Sequence, residues 1–220
     1  MHTEIKITAD GSGTLYVPAL NEHYHSTNGA VQESMHVFIE AGLCQLKTRN
    51  PAIFEMGFGT GLNTLLTYLE SDRFEHISYS AIEMFPVEWG KIDNLSYPGF
   101  LKLEENEKNF FEKIHKSDWN DPQIIDPKFH FTKFNASIIE FQFNNKYDLI
   151  YFDAFAPAVQ PELWEESVFQ KIFVAMNQGG ILVTYCAKGE VRRNLEHCGF
   201  FVERLPGPPG KREMIRATKL

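Results

Sequence analysis

Three glycines at alternate positions follow a short apolar run in the sequence. The run, residues 52–54, is long enough for a buried strand and too short for a buried helix, and Gly57, Gly59 and Gly61 come shortly after it. Leucines then recur at helical spacing, beginning at Leu62. Glycine permits positive φ and lets another molecule approach the backbone closely, while a helix N-terminus presents unsatisfied N–H groups. This stretch therefore predicts a strand, a ligand-binding turn and a helix.

The residue at the end of this strand indicates which ligand the turn suits. Dinucleotide-binding enzymes use G-x-G-x-x-G with the pyrophosphate at the helix N-terminus, whereas the spacing here is G-x-G-x-G and Glu55 precedes it. A carboxylate would repel pyrophosphate but suits a cationic or amino-bearing ligand, and S-adenosyl-L-methionine (SAM) carries both a sulfonium and an amino group. The motif alone does not exclude a turn that serves only tight packing.

Two further carboxylates come directly after apolar runs. Glu83 follows residues 77–82, and Asp153 follows residues 147–152. An acidic residue at the end of the second strand of a nucleotide-binding α/β sheet holds ribose hydroxyls. Asp153, with Phe155 beside it, could hold an amine for attack on a sulfonium methyl and accept a proton directly or through water. Either carboxylate could instead cap a helix or turn.

Alternating strands and helices would bring these carboxylates to one edge of a sheet. The pattern predicts an α/β protein with a mostly parallel, seven-stranded sheet and helices on both faces. Right-handed crossovers place a ligand over the carboxyl ends of such strands. The predicted strands cover residues 51–54, 77–82, 129–134, 147–152, 181–185, 200–205 and 214–217. Helices are predicted over residues 104–115, 161–176 and 191–198, with a short helix capped by residues 135–137.

The chain divides into a small extension and a main domain. Residues 1–48 predict a hairpin followed by an amphipathic helix over residues 29–46, packed on the core. Residues 49–220 then form the ligand-binding domain. Within it, residues 95–126 are irregular and charged, and they are longer than most connections between a strand and a helix.

Charge is unevenly distributed along the chain. The net charge of −8 argues weakly against a nucleic-acid partner, but residues 188–220 carry eight basic and four acidic side chains. That segment is therefore +4 and the remainder −12. Such asymmetry can mark an anion-facing surface on an acidic body, although an ordinary solvated face with salt bridges is the commoner outcome.

Composition predicts a cytoplasmic protein that contacts neither membrane nor metal. No window reaches the apolar length of a membrane span, and the N-terminus lacks a secretory signal. Cys44, Cys186 and Cys198 form no C-x-x-C pair and indicate reduced, buried thiols. The histidines near the N-terminus lack the cysteines or clustered aspartates that would complete a metal site.

Four stretches together resemble the methyltransferase domain of the MnmC family of bifunctional bacterial tRNA-modifying enzymes. They are E-M-G-F-G-T-G-L-N from Glu55, D-A-F-A-P from Asp153, T-Y-C-A-K-G with V-R-R from Thr184, and P-G-P-P-G-K-R-E-M from Pro206. The resemblance covers about residues 21–217. It implies a Rossmann-like class I SAM-dependent methyltransferase fold. It also implies conversion of 5-aminomethyl-2-thiouridine at the tRNA wobble position to 5-methylaminomethyl-2-thiouridine.

The resemblance also implies roles for individual residues. Asp153 would be the catalytic residue between the methyl donor and the amine. Tyr24 and Phe155 would stack on the flipped base. SAM would be held by Glu55, Gly57, Gly59, Gly61, Asn63, Glu83, Met84, Asn135, Ala136 and Asp153. The substrate would also contact Pro157, Lys188, Arg192, Arg193, Lys211 and Arg212, the basic residues by neutralising phosphates.

One departure from the family bears on the substrate. Bifunctional members carry a C-terminal FAD-dependent oxidase that generates the aminomethyl group, whereas this sequence ends soon after Arg216. We therefore expect no FAD site. The aminomethyl uridine then comes by another route or from a separate oxidase partner, or the substrate differs. Alternatives are a SAM-dependent transferase for a small-molecule amine, a NAD-linked oxidoreductase, which the glycine spacing and Glu55 disfavour, and a non-catalytic RNA-binding module on the same fold.

Overall fold

The computed structural model describes residues 2–220 and contains a small sheet and a large one. The small sheet has the order β1-β2-β3 and the large one the order β10-β11-β9-β8-β4-β5-β7-β6. The strands are β1 (Glu4–Ile7), β2 (Gly13–Val17), β3 (Glu22–His23), β4 (Ala52–Met56), β5 (Ile77–Ile82), β6 (Gln123–Asp126), β7 (Phe129–Phe134), β8 (Tyr147–Phe152), β9 (Met176–Thr184), β10 (Phe201–Pro206) and β11 (Glu213–Thr218).

Helices connect most of these strands. They are α1 (Ala30–Ser34), which a π-helix (Met35–Glu40) continues, α2 (Leu62–Leu69), α3 (Trp89–Asp93), α4 (Tyr97–Phe100), α5 (Glu105–Lys116), α6 (Glu166–Ala175) and α7 (Gly189–His197). Single 3₁₀ turns cover Leu43–Gln45, Ser71–Arg73 and Pro161–Trp164. Within residues 2–220, no helix combines the length and the apolar character that crossing a membrane requires.

The five central strands of the large sheet are parallel, in the order β9-β8-β4-β5-β7. The chain builds outward from β4 through β5 and β7 on one side, then returns to β8 and β9 on the other. Such a reversal of strand order opens a crevice at the carboxyl ends of the strands, where α/β proteins bind ligands. The predicted α/β architecture with a mostly parallel sheet is therefore confirmed.

Apolar residues fill both faces of this sheet. One cluster includes Tyr79 and Tyr151 and is covered by α2, α5 and the N-terminal helices. The other includes Phe54 and Phe152 and is covered by α6 and α7. Strands buried on both faces have nearly continuous apolar sequences, which is why β4, β5 and β8 could be predicted.

The large sheet has one strand more than the predicted seven. The additional strand, β6, pairs antiparallel with β7 in a segment that the sequence predicted to be irregular. Its side chains are half-buried or exposed, with Ile124 71% exposed. An edge strand without a fully buried face needs no strict alternation of apolar and polar residues, so its sequence carries no strong strand signal.

Two other local predictions were wrong. Strand β9 begins at Met176, not at residue 181, because the chain continues in the sheet through Gly179, whose φ is 77°. Residues 135–137 begin no regular helix. Instead, the Asn135 amide donates to the carbonyl oxygens of Glu83 at 2.9 Å and Met84 at 3.3 Å, which ties the end of β7 to the end of β5.

The N-terminal segment packs against the main sheet. Leu15 of β2 and Phe38 of the π-helix belong to the same apolar cluster as Leu65 of α2. The predicted amphipathic helix covers residues 30–40, and its second half is a π-helix. We propose that residues 1–48 are an extension packed on the domain of residues 49–220, with Met1 outside the described residues.

Candidate functional site

A cavity of 640 Å³ lies at the carboxyl ends of the parallel strands. The turns after β4, β5, β7 and β8 contribute to its wall, and the segment after β3 and the loop between β10 and β11 complete it. Most of the residues implicated by the sequence line it: Tyr24, Gly57, Gly59, Asn63, Glu83, Met84, Ala136, Asp153, Phe155 and Lys211. The structure thus brings together residues from six separate segments.

The glycine turn permits close approach of β4 and β8. Gly57, Gly59 and Gly61 have φ values of 89°, 51° and 70°, which L side chains rarely adopt. A Cβ on Gly57 would lie 2.5 Å from the backbone oxygen of Asp153, whose own N–H donates to Met56 O at 3.0 Å. The turn therefore fixes the position of Asp153 as well as presenting its backbone to the cavity.

The Asp153 carboxyl lies in the cavity wall and is held by a hydrogen bond. Asn63 Nδ2 donates to Asp153 Oδ2 at 2.8 Å. Burial raises the pKa of Asp153 to about 7, and the nearby charge of Glu33 adds to the rise. The hydrogen bond from Asn63 and the charge of Lys211 oppose it. A carboxyl with this pKa is a stronger base than an ordinary aspartate and can take a proton at neutral pH.

Glu55 is the one motif carboxylate that lies outside the cavity lining. It is fully buried, and Thr64 Oγ1 and Tyr79 Oη donate to its Oε2 at 3.0 and 2.9 Å. Burial raises the pKa of Glu55 to about 8, with Asp153 contributing in the same direction. Glu55 Oε1 and Asn63 Oδ1 are buried without a hydrogen-bond partner among the described residues. Direct contact between Glu55 and a ligand stays a prediction.

The buried carboxyl of Glu55 should make stability depend on pH. Its pKa rises from 4.5 unfolded to about 8 folded, so between these values the native state binds more protons than the unfolded state. The free energy of unfolding should therefore fall as pH rises from about 5 to 8, and Glu55→Gln should flatten this dependence. Urea denaturation at both pH values would measure it, with the exposed Glu140→Gln as control. Equal slopes in wild type and Glu55→Gln would show that this carboxyl is not the cause.

Glu83 and its neighbours form another part of the cavity wall. Gly59 N–H donates to Glu83 Oε2 at 3.0 Å, and Phe85 N–H donates to Oε1 at 2.8 Å. Burial raises the pKa of Glu83, and these backbone donors oppose the rise. Met84 and Phe85 are about half exposed at the cavity, at 54% and 49%. Asn135 lies behind this wall and supports it through the backbone bonds described above.

An aromatic pair lines the cavity near Asp153. The rings of Tyr24 and Phe155 meet edge to face with centroids 5.2 Å apart, and both line the cavity. Burial raises the pKa of Tyr24, so its hydroxyl stays protonated. Such a pair can contact a planar ring. Pro157 lies outside the lining.

Sequence reasoning missed Glu33, which lines the cavity from α1. Its Oε1 lies 2.5 Å from Lys211 Nζ, although 178 positions separate the two residues. No local pattern could have indicated this pair, because α1 reads as an ordinary amphipathic helix.

The other basic residues predicted at the substrate lie outside the cavity. Arg192 pairs with Glu196 at 3.2 Å on the surface of α7. Lys188, Arg193 and Arg212 are exposed, and none forms an ion pair within residues 2–220. Across the described part of the chain, His, Cys, Asp and Glu side chains form no cluster that could hold a metal ion.

Comparison with known proteins relates the chain to one enzyme family. Residues 103–220 match the model of a family described as S-adenosyl-L-methionine-dependent methyltransferase. The bifunctional protein MnmC of tRNA 5-methylaminomethyl-2-thiouridine biosynthesis from Leptospira interrogans is 34% identical over 206 residues, covering 87% of this chain and 32% of that protein. The corresponding protein from Leptospira borgpetersenii is 31% identical over 205 residues, covering 87% and 31%. The chain thus spans about a third of the length of these relatives.

Solved structures show the same fold. MnmC2 from Aquifex aeolicus superposes with a TM-score of 0.75 at 23% identity, covering 98% of this chain and 70% of that one. Spermidine synthase from Thermotoga maritima gives 0.52 at 16% identity, covering 100% and 72%. At these identities the likeness concerns the fold, and the predicted class I methyltransferase fold is confirmed.

Proposed function

Because this chain belongs to the family of S-adenosyl-L-methionine-dependent methyltransferases, we propose that it methylates the amine of 5-aminomethyluridine, or its 2-thio derivative, at the wobble position of tRNA. The observation that carries this proposal is the placement of Asp153. Its carboxyl, with a pKa of about 7, lies in the cavity beside the glycine turn. An aromatic pair suited to a planar base lines the same cavity.

The residues of the cavity fit SAM. Backbone at Gly57 and Gly59 is open to the cavity, and on Gly59 a Cβ would lie 3.1 Å from the Tyr24 ring. Glu83 retains lone pairs that can accept from ribose hydroxyls, and Met84 and Ala136 offer an apolar wall for a purine. Bound SAM would supply a methyl group on a cationic sulfur, which is an electrophile.

Asp153 would bind and deprotonate the amine. A primary amine is a cation at neutral pH, so the carboxylate attracts it and holds it close to the donor side of the cavity. Asn63 orients the carboxylate by donating to Oδ2. Transfer of a proton to Asp153 frees the nitrogen lone pair to form the new N–C bond. Tyr24 and Phe155 would hold the base and keep water out of the cavity.

The relatives support tRNA as the substrate. Their names assign them to biosynthesis of tRNA 5-methylaminomethyl-2-thiouridine. We propose that the exposed side chains of Lys188, Arg193 and Arg212 contact phosphates, with Arg192 beside them. We also propose that a separate oxidase supplies the aminomethyl uridine, because the amine must be in place before it can be methylated.

A synthetic anticodon stem–loop tests this function directly. The RNA would carry 5-aminomethyl-2-thiouridine at the wobble position and be incubated with the protein and SAM, then digested to nucleosides for mass spectrometry. We expect the gain of one methyl group on the modified uridine and none on an RNA with unmodified uridine. SAM binding without methylation of this RNA would overturn the tRNA proposal and direct the search to small amines.

The exposed basic residues should govern the salt dependence of RNA binding. Replacing Arg193 and Arg212 together by alanine should weaken binding and lower the slope of log K against log salt by about 2, roughly one per lost phosphate contact. Fluorescence anisotropy of the stem–loop over a salt series measures this slope. Arg49→Ala is the control, because Arg49 pairs with Glu75 at the amino ends of β4 and β5, whereas the cavity lies at the carboxyl ends of the strands. An unchanged slope in the double variant would place the RNA surface elsewhere.

A further inference from the structure

An ion pair lies inside the cavity, between the N-terminal extension and the C-terminal hairpin. Glu33 of α1 is only 7% exposed, and its Oε1 lies 2.5 Å from Nζ of Lys211 in the loop between β10 and β11. The other carboxylate oxygen of Glu33 accepts from the Ser26 N–H at 2.8 Å. Lys211 Nζ also lies 3.8 Å from the centroid of the Tyr185 ring. Ser26 thus holds the Glu33 carboxylate, and the Tyr185 ring holds the Lys211 ammonium.

Stability alone is a poor account of this pair. Removing two charges from water costs free energy that their mutual attraction often fails to return. Lys211 is partly open to the cavity, with 31% of its side chain exposed. Its ammonium has three donors, of which Glu33 uses one. A carboxylate has about four acceptor positions, and Lys211 and Ser26 use two. Two donors of Lys211 and about two acceptor positions of Glu33 therefore remain free, side by side in the wall of the cavity.

A neutral pair within a cavity is also unsuited to phosphate contact. Glu33 cancels the charge of Lys211, and the ammonium faces Tyr185 and the space near Asp153. The exposed Arg193 and Arg212 have no such partner within residues 2–220. Lys211 therefore differs from the other basic residues of the C-terminal segment in what it can bind.

We infer that Glu33 and Lys211 bind the imide edge of a uracil base, an inference that rests on the proposed function. The N3–H of uracil would donate to Glu33, and the carbonyl oxygen at position 4 would accept from Lys211. The ring would lie against Tyr24 and Phe155, with its C5 substituent directed to Asp153. Cytosine presents an acceptor at N3 and a donor at position 4, the reverse order, so the pair discriminates between the two bases.

Nucleoside binding tests the inference without requiring turnover. The protein would be loaded with S-adenosyl-L-homocysteine and titrated calorimetrically with 5-aminomethyluridine and 5-aminomethylcytidine. We expect the wild type to prefer the uridine by at least about tenfold, since a site built for hydrogen bonds rejects the mismatched pattern. Glu33→Gln and Lys211→Met should each reduce this preference to about threefold or less. Arg204→Met, on the same hairpin and paired with Glu213, should keep it.

Each outcome separates this inference from the proposed function. A wild type that binds both nucleosides equally, or variants that retain the preference, would overturn the base-edge role. If both variants lose affinity for the two nucleosides equally and also have a lower melting temperature, the ion pair only holds the extension against the hairpin. That result would also overturn the base-edge role. A preference for the uridine that both variants lose supports the inference, even if the stem–loop RNA is never methylated, in which case the proposed function alone fails.

Discussion

Asp153→Asn should reduce methylation of the stem–loop RNA by at least about 10³-fold, or roughly 4 kcal/mol of transition-state stabilisation. The amide is isosteric with the carboxyl and can still accept from Asn63, so the cavity should keep its shape. It cannot take a proton from the ammonium or balance its charge. The affinity for SAM should change by less than about threefold, because the substitution leaves the glycine turn and Glu83 in place.

The same substitution should change the response to pH. Since burial raises the pKa of Asp153 to about 7, kcat/KM of the wild type should rise with pH through that value as the free carboxyl ionises. The unfolded carboxyl ionises near its ordinary value of 3.8, so the native state is destabilised by this group above that pH. Asp153→Asn should therefore be at least as stable as the wild type at pH 8.

Single-turnover rates, calorimetry with SAM and urea denaturation together measure these effects. Asp93→Asn, an exposed substitution on α3, should leave all three unchanged. Activity of Asp153→Asn within about tenfold of the wild type would exclude the catalytic role, because a factor of ten corresponds to only ~1.4 kcal/mol.

Gly57→Ala should weaken SAM binding and destabilise the fold. The residue has φ of 89°, and a Cβ would lie 2.5 Å from the Asp153 backbone oxygen. Strained backbone of this kind costs about 1–3 kcal/mol, and the clash must in addition separate the ends of β4 and β8. We expect a melting temperature lower by roughly 4–10 °C, and SAM affinity lower by at least about 30-fold, or ~2 kcal/mol.

Gly90→Ala provides the matched control. Gly90 lies in α3, and a Cβ there would meet no atom within 4 Å. Alanine in a helix is favoured over glycine by about 0.5–1 kcal/mol, so this variant should be as stable as the wild type or slightly more stable. Calorimetry with SAM and thermal denaturation of both variants make the comparison. Wild-type values for Gly57→Ala would show that the turn tolerates a side chain and does not fix Asp153.

Much of the site was predictable because its elements have local signals. The apolar runs of β4, β5 and β8 identify buried parallel strands, and each ends at a carboxylate. The rules of right-handed crossover and strand order then bring Glu83 and Asp153 to one edge. The glycine turn required no knowledge of tertiary contacts, since positive φ is a property of the local backbone.

The position of Glu55 shows where local reasoning was incomplete. Side chains of a strand alternate between the two faces of the sheet, and Ile53 lies in the cluster with Tyr79, on the same face as Glu55. The sequence shows that a carboxylate lies near the strand end. Packing against Tyr79 and Thr64 decides that this carboxylate is buried below the turn.

The sequence gives the net charge of the C-terminal segment, but it does not show which of its basic side chains are free of ion pairs. Its excess of basic residues is a fact of composition, but the register of β10 with β11 places Arg216 opposite Glu203, at 3.1 Å. The Arg204–Glu213 pair removes a second cation, at 3.4 Å. Fewer free cations therefore remain for RNA than the count along the chain implied.

The sequence by itself determined the alternation of the central strands and helices, the glycine turn and the carboxylates at the strand ends, because backbone preference and hydrophobic periodicity act over a few residues. Only the tertiary structure decided which side chains meet in the cavity. Glu33 and Lys211 come together because α1 and the last hairpin both pack around the carboxyl edge of the sheet. A contact across 178 positions depends on the packing of the whole chain, and no short window of sequence carries that information.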